Sequence, residues 1–356
     1  MKKCLELAIL GKNKTKSNPL VGCVIVLKNK IIGSGYHKKY GGNHAEKNAI
    51  IDLKKKHPLD YKKILKQSTL YVNLEPCSHF GQTPPCMDLI IKYKIPEVVI
   101  GTIDPFKKVN GRGISKLKKH SKVIVGVLID QCEKINYQYF TNHKFNRPFI
   151  ILKWAESKDG FINTLSKGIT QISNKDSLLL SHKWRSEIDA IMVGTNTVTC
   201  DNPELTTRKV KGDNPIRITI DRNHILKNKS LKIFNKNSKT IIFNENINSK
   251  IENIEYINYI NHNFQDYDND KILNIMMNIL YKKGIKSILI EGGAKLLNNF
   301  INNDLWDEAR IFVSNKKLIN GIKAPNLNYK NEDTNILSIS TDKLYIKKNY
   351  KQIRHE

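Results

Sequence analysis

Apolar residues alternate with polar ones in some stretches of this chain and recur at helical spacing in others, and the two periods interleave along its length. Over the first 145 residues the pattern predicts a helix at about 2–11, then a β-hairpin through "VGCVIVLKNKIIGSGY" with Asn29 and Lys30 at its turn. A helix at 44–56, a strand at 68–74, a helix at 85–94 and a strand at 97–102 follow. A further helix, a strand over "VIVGVL" and a helix near 130–142 close the segment. Strands of mixed direction alternating with helices predict a three-layer α/β/α sandwich.

The pattern restarts around "FTNHKFNRPFI", where Pro148 precedes a new apolar run, so two domains are expected, 1–145 and 146–356. The second is read as α/β, with strands at 149–155, 190–193, 215–221, 239–243, 286–291, 308–314 and 338–347 and helices between most of them. Residues 223–270 are rich in Asn and Lys and are read as surface loops plus one strand. No internal repeat is present.

Composition narrows the class. No stretch reaches the roughly 18 consecutive apolar residues of a membrane span, so a soluble protein is expected. Glu6 interrupts the apolar patch of "MKKCLELAILGKNK", which reads as an amphipathic helix rather than a leader. Six cysteines scattered over 356 residues do not form the dense framework of a small secreted domain, and a reducing cytoplasm fits them. The net charge of +27 would suggest nucleic acid if the lysines clustered. They are dispersed, and they accompany heavy Asn and Ile usage, the signature of A- and T-rich codons. Compositional drift explains the charge, although a positive field also gathers small phosphorylated substrates.

Chemistry concentrates in "NLEPCSHFGQTPPC" (73–86) and "GGNHAEKNAI" (41–50). A catalytic zinc keeps three protein ligands and one open position, and Cys77 and Cys86 supply two sulfurs. His44 opens a helix one residue before Ala45 and two before Glu46, so the imidazole can ligate while the carboxylate reaches the open position. His-x-Glu followed by Pro-Cys is the arrangement of zinc-dependent base deaminases, in which the glutamate shuttles protons and is not a ligand. The metal brings the pKa of its water toward 7, and the carboxylate carries protons to departing ammonia. A closed zinc site with His79 as fourth ligand, or simply buried cysteines, is the structural alternative.

Eight residues, "SHFGQTPP", separate the cysteines where most such deaminases have two. With "NPLVGCVIV" (18–26), "GSGYH" (33–37), "HAE" (44–46) and "DPFKKVNGRG" (104–113), this loop resembles the deaminase domain of the bifunctional riboflavin-biosynthesis deaminase/reductase family. "LKWAESKDG" (152–160), "VGTNTVTCDNPELTTR" (193–208), "PIRITID" (215–221) and "IEGGAKLLNNF" (290–300) resemble that family's reductase domain. The resemblance implies a cytidine-deaminase-like α/β/α sandwich followed by a dihydrofolate-reductase-like α/β domain, one Zn²⁺ per chain and NADPH. It implies hydrolysis of the exocyclic amine of 2,5-diamino-6-ribosylamino-4(3H)-pyrimidinone 5′-phosphate, then reduction of the ribosyl group to ribityl.

By motif, the resemblance makes His44, Cys77 and Cys86 the zinc ligands, Glu46 the proton donor and acceptor, and Asn18 a substrate contact. It places Ala155, Gln171, Thr197, Asp201, Gly293, Ala294, Lys295, Leu296, Leu297, Asn298 and Asn299 at cofactor positions, and Arg185, Leu205, Arg208 and Glu291 at substrate positions. Gly292 and Gly293 end a strand and open a helix, where free N–H groups suit a phosphate. Arg185 and Arg208 are the residues to clamp a substrate phosphate. Arg222, after "PIRITID", stands where a cofactor 2′-phosphate would meet it at the carboxyl end of a strand.

Two departures stand out. Gln171 in "GITQIS" (168–173) occupies a position where the family usually has tryptophan, and Gln82 replaces a common basic residue of the metal loop. The expected partner is a small phosphorylated pyrimidine, with no nucleic acid and no membrane, in a cytoplasmic homo-oligomer. Deamination of a base in RNA is the competing class. Against it, the second segment lacks aromatic platforms interleaved with basic clusters. A decayed, zinc-stabilised binding protein is the third, and the intact Glu46 argues against that.

Overall fold

The computed structural model describes residues 1–15, 17–78, 84–165, 170–228, 230–260, 269–331 and 334–350. Two sequence readings, His79 as a ligand and the effect of Gln82, fall outside these residues. The chain divides into two compact units, Met1–Phe145 and Asn146–Glu356.

Unit one runs α1 (Lys2–Ile9), β1 (Gly22–Leu27), β2 (Lys30–Tyr36), α2 (Ala45–Lys56), α3 (Tyr61–Leu65), β3 (Thr69–Leu74), α4 (Cys86–Lys92) and β4 (Glu97–Thr102). It ends with α5 (Arg112–Leu117), β5 (Lys122–Val125), α6 (Ile129–Ile135) and α7 (Tyr137–Phe145). The sheet order is β2-β1-β3-β4-β5, antiparallel around β1 and parallel from β3 to β5. Side chains on a strand alternate between faces, and Cys23 pairs with Gly35 while Gly22 pairs with Tyr36, so the two glycines lie on opposite faces. A Cβ on Gly35 would strike the backbone of α2, at Ala49 and Ala45, and one on Gly22 would strike α1 at Cys4 and Ala8. Close helix approach on both faces therefore builds the expected three layers.

Local differences from the sequence reading have local causes. The hairpin turns one residue earlier, at Lys28 and Asn29, which adopt the left-handed angles (φ 47° and 61°) of a type I′ turn. The single helix expected near 130–142 is two, α6 and α7, parted at Asn136. That side chain is drawn to the backbone of Leu20, accepting from its N–H (2.7 Å) and donating to its carbonyl (3.0 Å).

Unit two contains β6 (Phe149–Glu156), β7 (Phe161–Asn163), α8 (Lys175–Glu187), β8 (Ala190–Gly194), α9 (Thr195–Asp201), β9 (Ile216–Ile220), β10 (Thr240–Asn244), β11 (Ser249–Ile251) and β12 (Ile254–Asn258). Then come α10 (Asn269–Lys282), β13 (Ser287–Gly292), α11 (Ala294–Asn302), β14 (Glu308–Val313), β15 (Ile322–Lys323), β16 (Asn335–Ile339) and β17 (Asp342–Lys348). Ten strands form one sheet in the order β11-β12-β10-β9-β8-β13-β6-β14-β17-β16, parallel from β12 to β14. The central strands are apolar on both faces, as a parallel sheet covered by helices requires.

Among the described residues of 223–270 there are three strands where one was expected: β10, which is that expected strand, and β11 and β12. The segment leading into β10 is held by Arg217, which is fully buried and donates to the carbonyls of Lys232 (2.9 Å), Asn235 (2.6 Å) and Ser238 (2.6 Å). The strand expected over 338–347 is a hairpin, β16 and β17, because Ser340 takes a left-handed φ of 52°. At the start of β6 the buried Arg147 makes a bidentate pair with Asp307 (2.6 and 2.8 Å), whose carboxylate also accepts the N–H of Ile150 at 2.7 Å.

Candidate active sites

In unit one the loops after β3 and β4 leave the carboxyl ends of parallel strands, where open α/β sheets hold ligands. Cys77 follows β3, Cys86 begins α4, and His44 is the extended N-cap residue of α2 (φ −70°, ψ 165°). Their donor atoms converge: His44 Nδ1 lies 3.4 Å from Cys77 Sγ and 3.3 Å from Cys86 Sγ, and all three ligand atoms are within 4.8 Å of one another. A tetrahedral ion with zinc-like bonds to nitrogen and sulfur spaces such ligands about 3.5 Å apart, so the donor set fits zinc in both chemistry and spacing. The Cys77 thiol is pulled down to about 4 by the hydrogen bond from the Cys86 side chain and by His44. Cys86, sharing a proton with that thiolate, is pushed up.

Glu46 stands in the first turn of α2 and is buried, 3% exposed. Burial raises its carboxyl pKa, and the negative charge of Cys77 adds to the rise. A carboxyl so placed gains and gives up protons more readily near neutrality than one in water. Asn18 is joined to the centre through His37. Its amide Nδ2 is 3.2 Å from His37 Nε2, His37 Nδ1 is 3.1 Å from the carbonyl of Asn43, and the His37 and His44 rings meet edge to face at 5.6 Å. A neutral His37 with its proton on Nδ1 satisfies both bonds and leaves Asn18 Oδ1 to accept from a base edge. Burial lowers the pKa of His37, which favours that neutral form.

Sequence reasoning passed over three residues here: His37, Asp104 and Glu75. Glu75 is buried and accepts backbone N–H bonds from Asp104 (3.2 Å), Gly111 (2.9 Å) and Ile114 (3.1 Å), fastening the loop after β4 to the segment that carries Cys77. A carboxylate closing the apolar strand "TLYVNL" was the available signal. Asp104 accepts from Tyr139 Oη (3.0 Å), and burial raises its carboxyl to about 6.

In unit two Ala155 stands near the carboxyl end of β6, Thr197 follows β8, and Glu291 and Gly293 stand at the end of β13. Gly292 ends β13, and Gly293 turns the chain into α11 with a left-handed φ of 77°. A Cβ on Gly292 would sit 3.1 Å from the Thr197 side chain of α9, and one on Gly293 3.4 Å from Thr197 Oγ1. The missing side chains leave a cradle lined by Thr197 and by the unpaired N–H groups of the first turn of α11, which fits a cofactor phosphate. Of the other α11 positions, Leu296 and Leu297 are buried in the core, so only their backbone is left for a ligand. Ala294 and Asn298 are half-buried, and Lys295 and Asn299 are exposed. Asp201 ends α9, with burial raising its carboxyl.

Arg185 of α8 and Glu291 of β13 meet in a buried bidentate pair (2.9 and 2.6 Å), and Arg185 Nη1 reaches the carbonyl of Thr206 at 3.4 Å. The fork expected to clamp a phosphate is therefore engaged by Glu291. Arg208 is exposed and only 3.9 Å from Glu204. Leu205 is buried with a left-handed φ of 55°. Two neighbours were not read from the sequence. His182, fully buried, accepts the N–H of Arg208 at Nδ1 (3.4 Å), and burial together with Arg185 and Arg208 depresses it to about 4. Lys153 of β6 has its ammonium pKa lowered by burial, and its charge helps hold Glu291 ionised.

Ala155 packs against the cluster of Trp184, Phe312 and Leu344. Gln171 borders a cavity of about 1000 Å³ together with Asn174, Lys175, Lys209 and Lys316. Its amide is folded back on the carbonyl of Ser173 (2.7 Å) and provides no aromatic face. Arg222 follows β9, and its Nε is paired with Glu245 at 2.7 Å.

Burial alone would raise Glu291, but Arg185 and Lys153 outweigh it and bring its carboxyl down from 4.5 to about 2. A folded pKa below the unfolded one contributes stability that is complete above the unfolded value and is lost as pH falls through the folded one. The difference in unfolding free energy between the wild type and Glu291→Gln is thus expected to shrink between pH 4.5 and 2, as measured by denaturant titration at fixed pH steps.

Comparison with known proteins adds to this geometry. Residues 1–102 match the cytidine and deoxycytidylate deaminase zinc-binding region, and residues 148–320 match the RibD C-terminal domain. The chain is 35% identical over 330 residues to the riboflavin biosynthesis protein RibD of Aquifex aeolicus, covering 92% of this chain and 89% of that protein. To the protein of the same name from Actinobacillus pleuropneumoniae it is 40% identical over 222 residues, 62% of this chain and 57% of that protein. Among solved structures, a diaminohydroxyphosphoribosylaminopyrimidine deaminase/5-amino-6-(5-phosphoribosylamino)uracil reductase from Thermotoga maritima is 33% identical. It superposes with a TM-score of 0.75 over 97% of this chain and 96% of that one.

Proposed function

Because the chain belongs to the RibD family of bifunctional riboflavin-biosynthesis deaminase/reductases, we propose that its first unit deaminates 2,5-diamino-6-ribosylamino-4(3H)-pyrimidinone 5′-phosphate and its second reduces the ribosyl group to ribityl. The product is 5-amino-6-(5-phospho-ribitylamino)uracil. The observation that carries the reading is the convergence of His44, Cys77 and Cys86 beside the buried carboxyl of Glu46. Zinc, when bound by these three side chains, supplies an activated water at neutral pH. Glu46 takes a proton from the attacking water and delivers it to the departing nitrogen, so amine and water become carbonyl and ammonia. Asn18, oriented by His37, holds the pyrimidine edge.

In the second unit NADPH, if bound, would supply a hydride to the anomeric carbon C1′ as the C1′–O4′ bond of the ribosyl ring breaks and O4′ takes a proton, the C1′–N bond being kept. The Gly292–Gly293 turn and Thr197 cradle the cofactor, and Leu205, Arg208 and the Arg185–Glu291 pair bound the sugar. The test is one assay: purified protein with the diaminopyrimidine ribosyl phosphate, with and without NADPH, following ammonia and the absorbance of the reduced nicotinamide. No ammonia from a zinc-loaded sample would refute the deaminase half.

Arg222 is assigned to the cofactor's 2′-phosphate, exchanging its exposed pair with Glu245 for the stronger bidentate contact. Arg222→Ala is expected to raise KM for NADPH about tenfold and leave that for NADH unchanged. Equal effects on both would return Arg222 to its ion pair.

The protein acts as a cytoplasmic homo-oligomer. All six cysteines are free thiols, and the edge strand β16 exposes Ile336 and Leu337, 52% and 42% accessible. Light scattering during size exclusion measures the assembly.

A further inference from the structure

Beside the metal-ligand cluster lies a second cavity, about 480 Å³, lined by Ser78, Met87, Lys108, Arg112 and Lys116. Ser78 follows Cys77 in the chain and Met87 follows Cys86, so two of the lining residues are the chain neighbours of the cysteine ligands. Its three cations are not equivalent. Lys116 is paired with Asp88 at 2.9 Å. Lys108 and Arg112 have no acidic partner among the described residues, which leaves two uncompensated positive charges facing one cavity.

These two side chains ride on a loop that is fixed before any ligand arrives. Glu75 accepts N–H bonds from Asp104, Gly111 and Ile114, residues that bracket Lys108 and Arg112. Ser78 Oγ donates to the carbonyl of Lys108 at 3.4 Å. Gly113 packs so closely that an added Cβ would lie 2.6 Å from the carbonyl of Pro76, so the loop is pressed onto the segment that carries Cys77. The Glu75 carboxylate is held by three backbone N–H donors of the loop and Asp88 by Lys116, and neither is ion-paired with Lys108 or Arg112 among the described residues.

We propose that Lys108 and Arg112 form the subsite for the 5′-phosphomonoester of the deaminase substrate, the anchor that orients the pyrimidine amine toward Glu46. The inference rests on the deaminase reading above. A phosphomonoester carries about −1.5 to −2 charges at neutral pH, matching the two free cations, and a guanidinium offers it a bidentate fork. Gln82, where the family commonly has a basic residue, leaves that charge to be supplied from elsewhere, and this loop supplies it.

The test measures ammonia release by the zinc-loaded full chain with the phosphorylated pyrimidine riboside and with its dephosphorylated counterpart, using inorganic phosphate as competitor. Arg112→Ala is expected to reduce the preference for the phosphorylated substrate at least tenfold, through KM, and to weaken inhibition by phosphate in parallel, with zinc content unchanged. Arg112→Lys is expected to recover part of the preference, Lys108→Ala to lose a similar share, and Lys63→Ala, exposed on α3, to match the wild type. Unchanged KM in the double variant K108A/R112A overturns the proposal. So does a single-stranded oligonucleotide that competes in the wild type and not in Arg112→Ala, because the cations would then read a nucleic-acid backbone. A wild type that releases no ammonia from either riboside refutes the deaminase reading itself.

Discussion

Glu46→Ala is expected to retain about one zinc per chain and to lose ammonia release by roughly 10²–10⁴-fold, the usual worth of a positioned proton carrier. The three ligand atoms come from His44, Cys77 and Cys86, and Glu46 is not among them. Cys86→Ser, in contrast, removes one of two sulfurs and is expected to empty the site. Metal analysis beside the ammonia assay separates the two outcomes. Loss of zinc from Glu46→Ala would make the carboxylate a ligand and overturn the assignment. NADPH-dependent reduction of the already deaminated substrate is expected to survive both changes.

Arg185→Ala is the reciprocal experiment. It leaves the Glu291 carboxylate buried without its bidentate partner, and breaking a buried pair from one side costs about 3–5 kcal/mol. The second unit should therefore unfold at markedly lower denaturant and its reduction should be lost, while ammonia release stays within twofold of wild type. Asp201→Asn separates chemistry from stability: it removes a charge at the end of α9 without opening an ion pair, so reduction falls in a unit that still unfolds like the wild type. If either variant lost both activities equally while folded, the two reactions would share one site.

The strands and the metal centre were legible in the sequence because their signals are local. Apolar runs such as "SILIEG" mark strands, and His-x-Glu with Pro-Cys names a chemistry in a few residues. What escaped was set by contacts between residues far apart in sequence. Glu75 reads as an ordinary acid until its three N–H partners, 29 to 39 residues downstream, are folded around it. Arg185 reads as a free guanidinium until Glu291, 106 residues on, takes its fork. β10 was read at 239–243, whereas β11 and β12 were obscured by Asn and Lys, whose polarity hides the pattern; the segment that leads into β10 is held by the buried guanidinium of Arg217. Asn136 breaks a helix through a bond made 116 residues away.

The position of β6 also bears on how the protein is made. It is the first strand of its unit to leave the ribosome, yet its neighbours are β13 and β14, so its pairing waits for residues 287–313. Asp307, which fastens Arg147 and Ile150, is 160 and 157 residues behind them. Non-local parallel pairing of this kind is slow and leaves strand edges open in the meantime. Unit one has no such delay, since its sheet pairs strands within its own 145 residues. During synthesis the first unit can close while β6 remains without a partner. A nascent chain arrested before β13 would carry a folded N-terminal unit followed by an apolar strand, "FIILKWAE", open to chaperones and to aggregation.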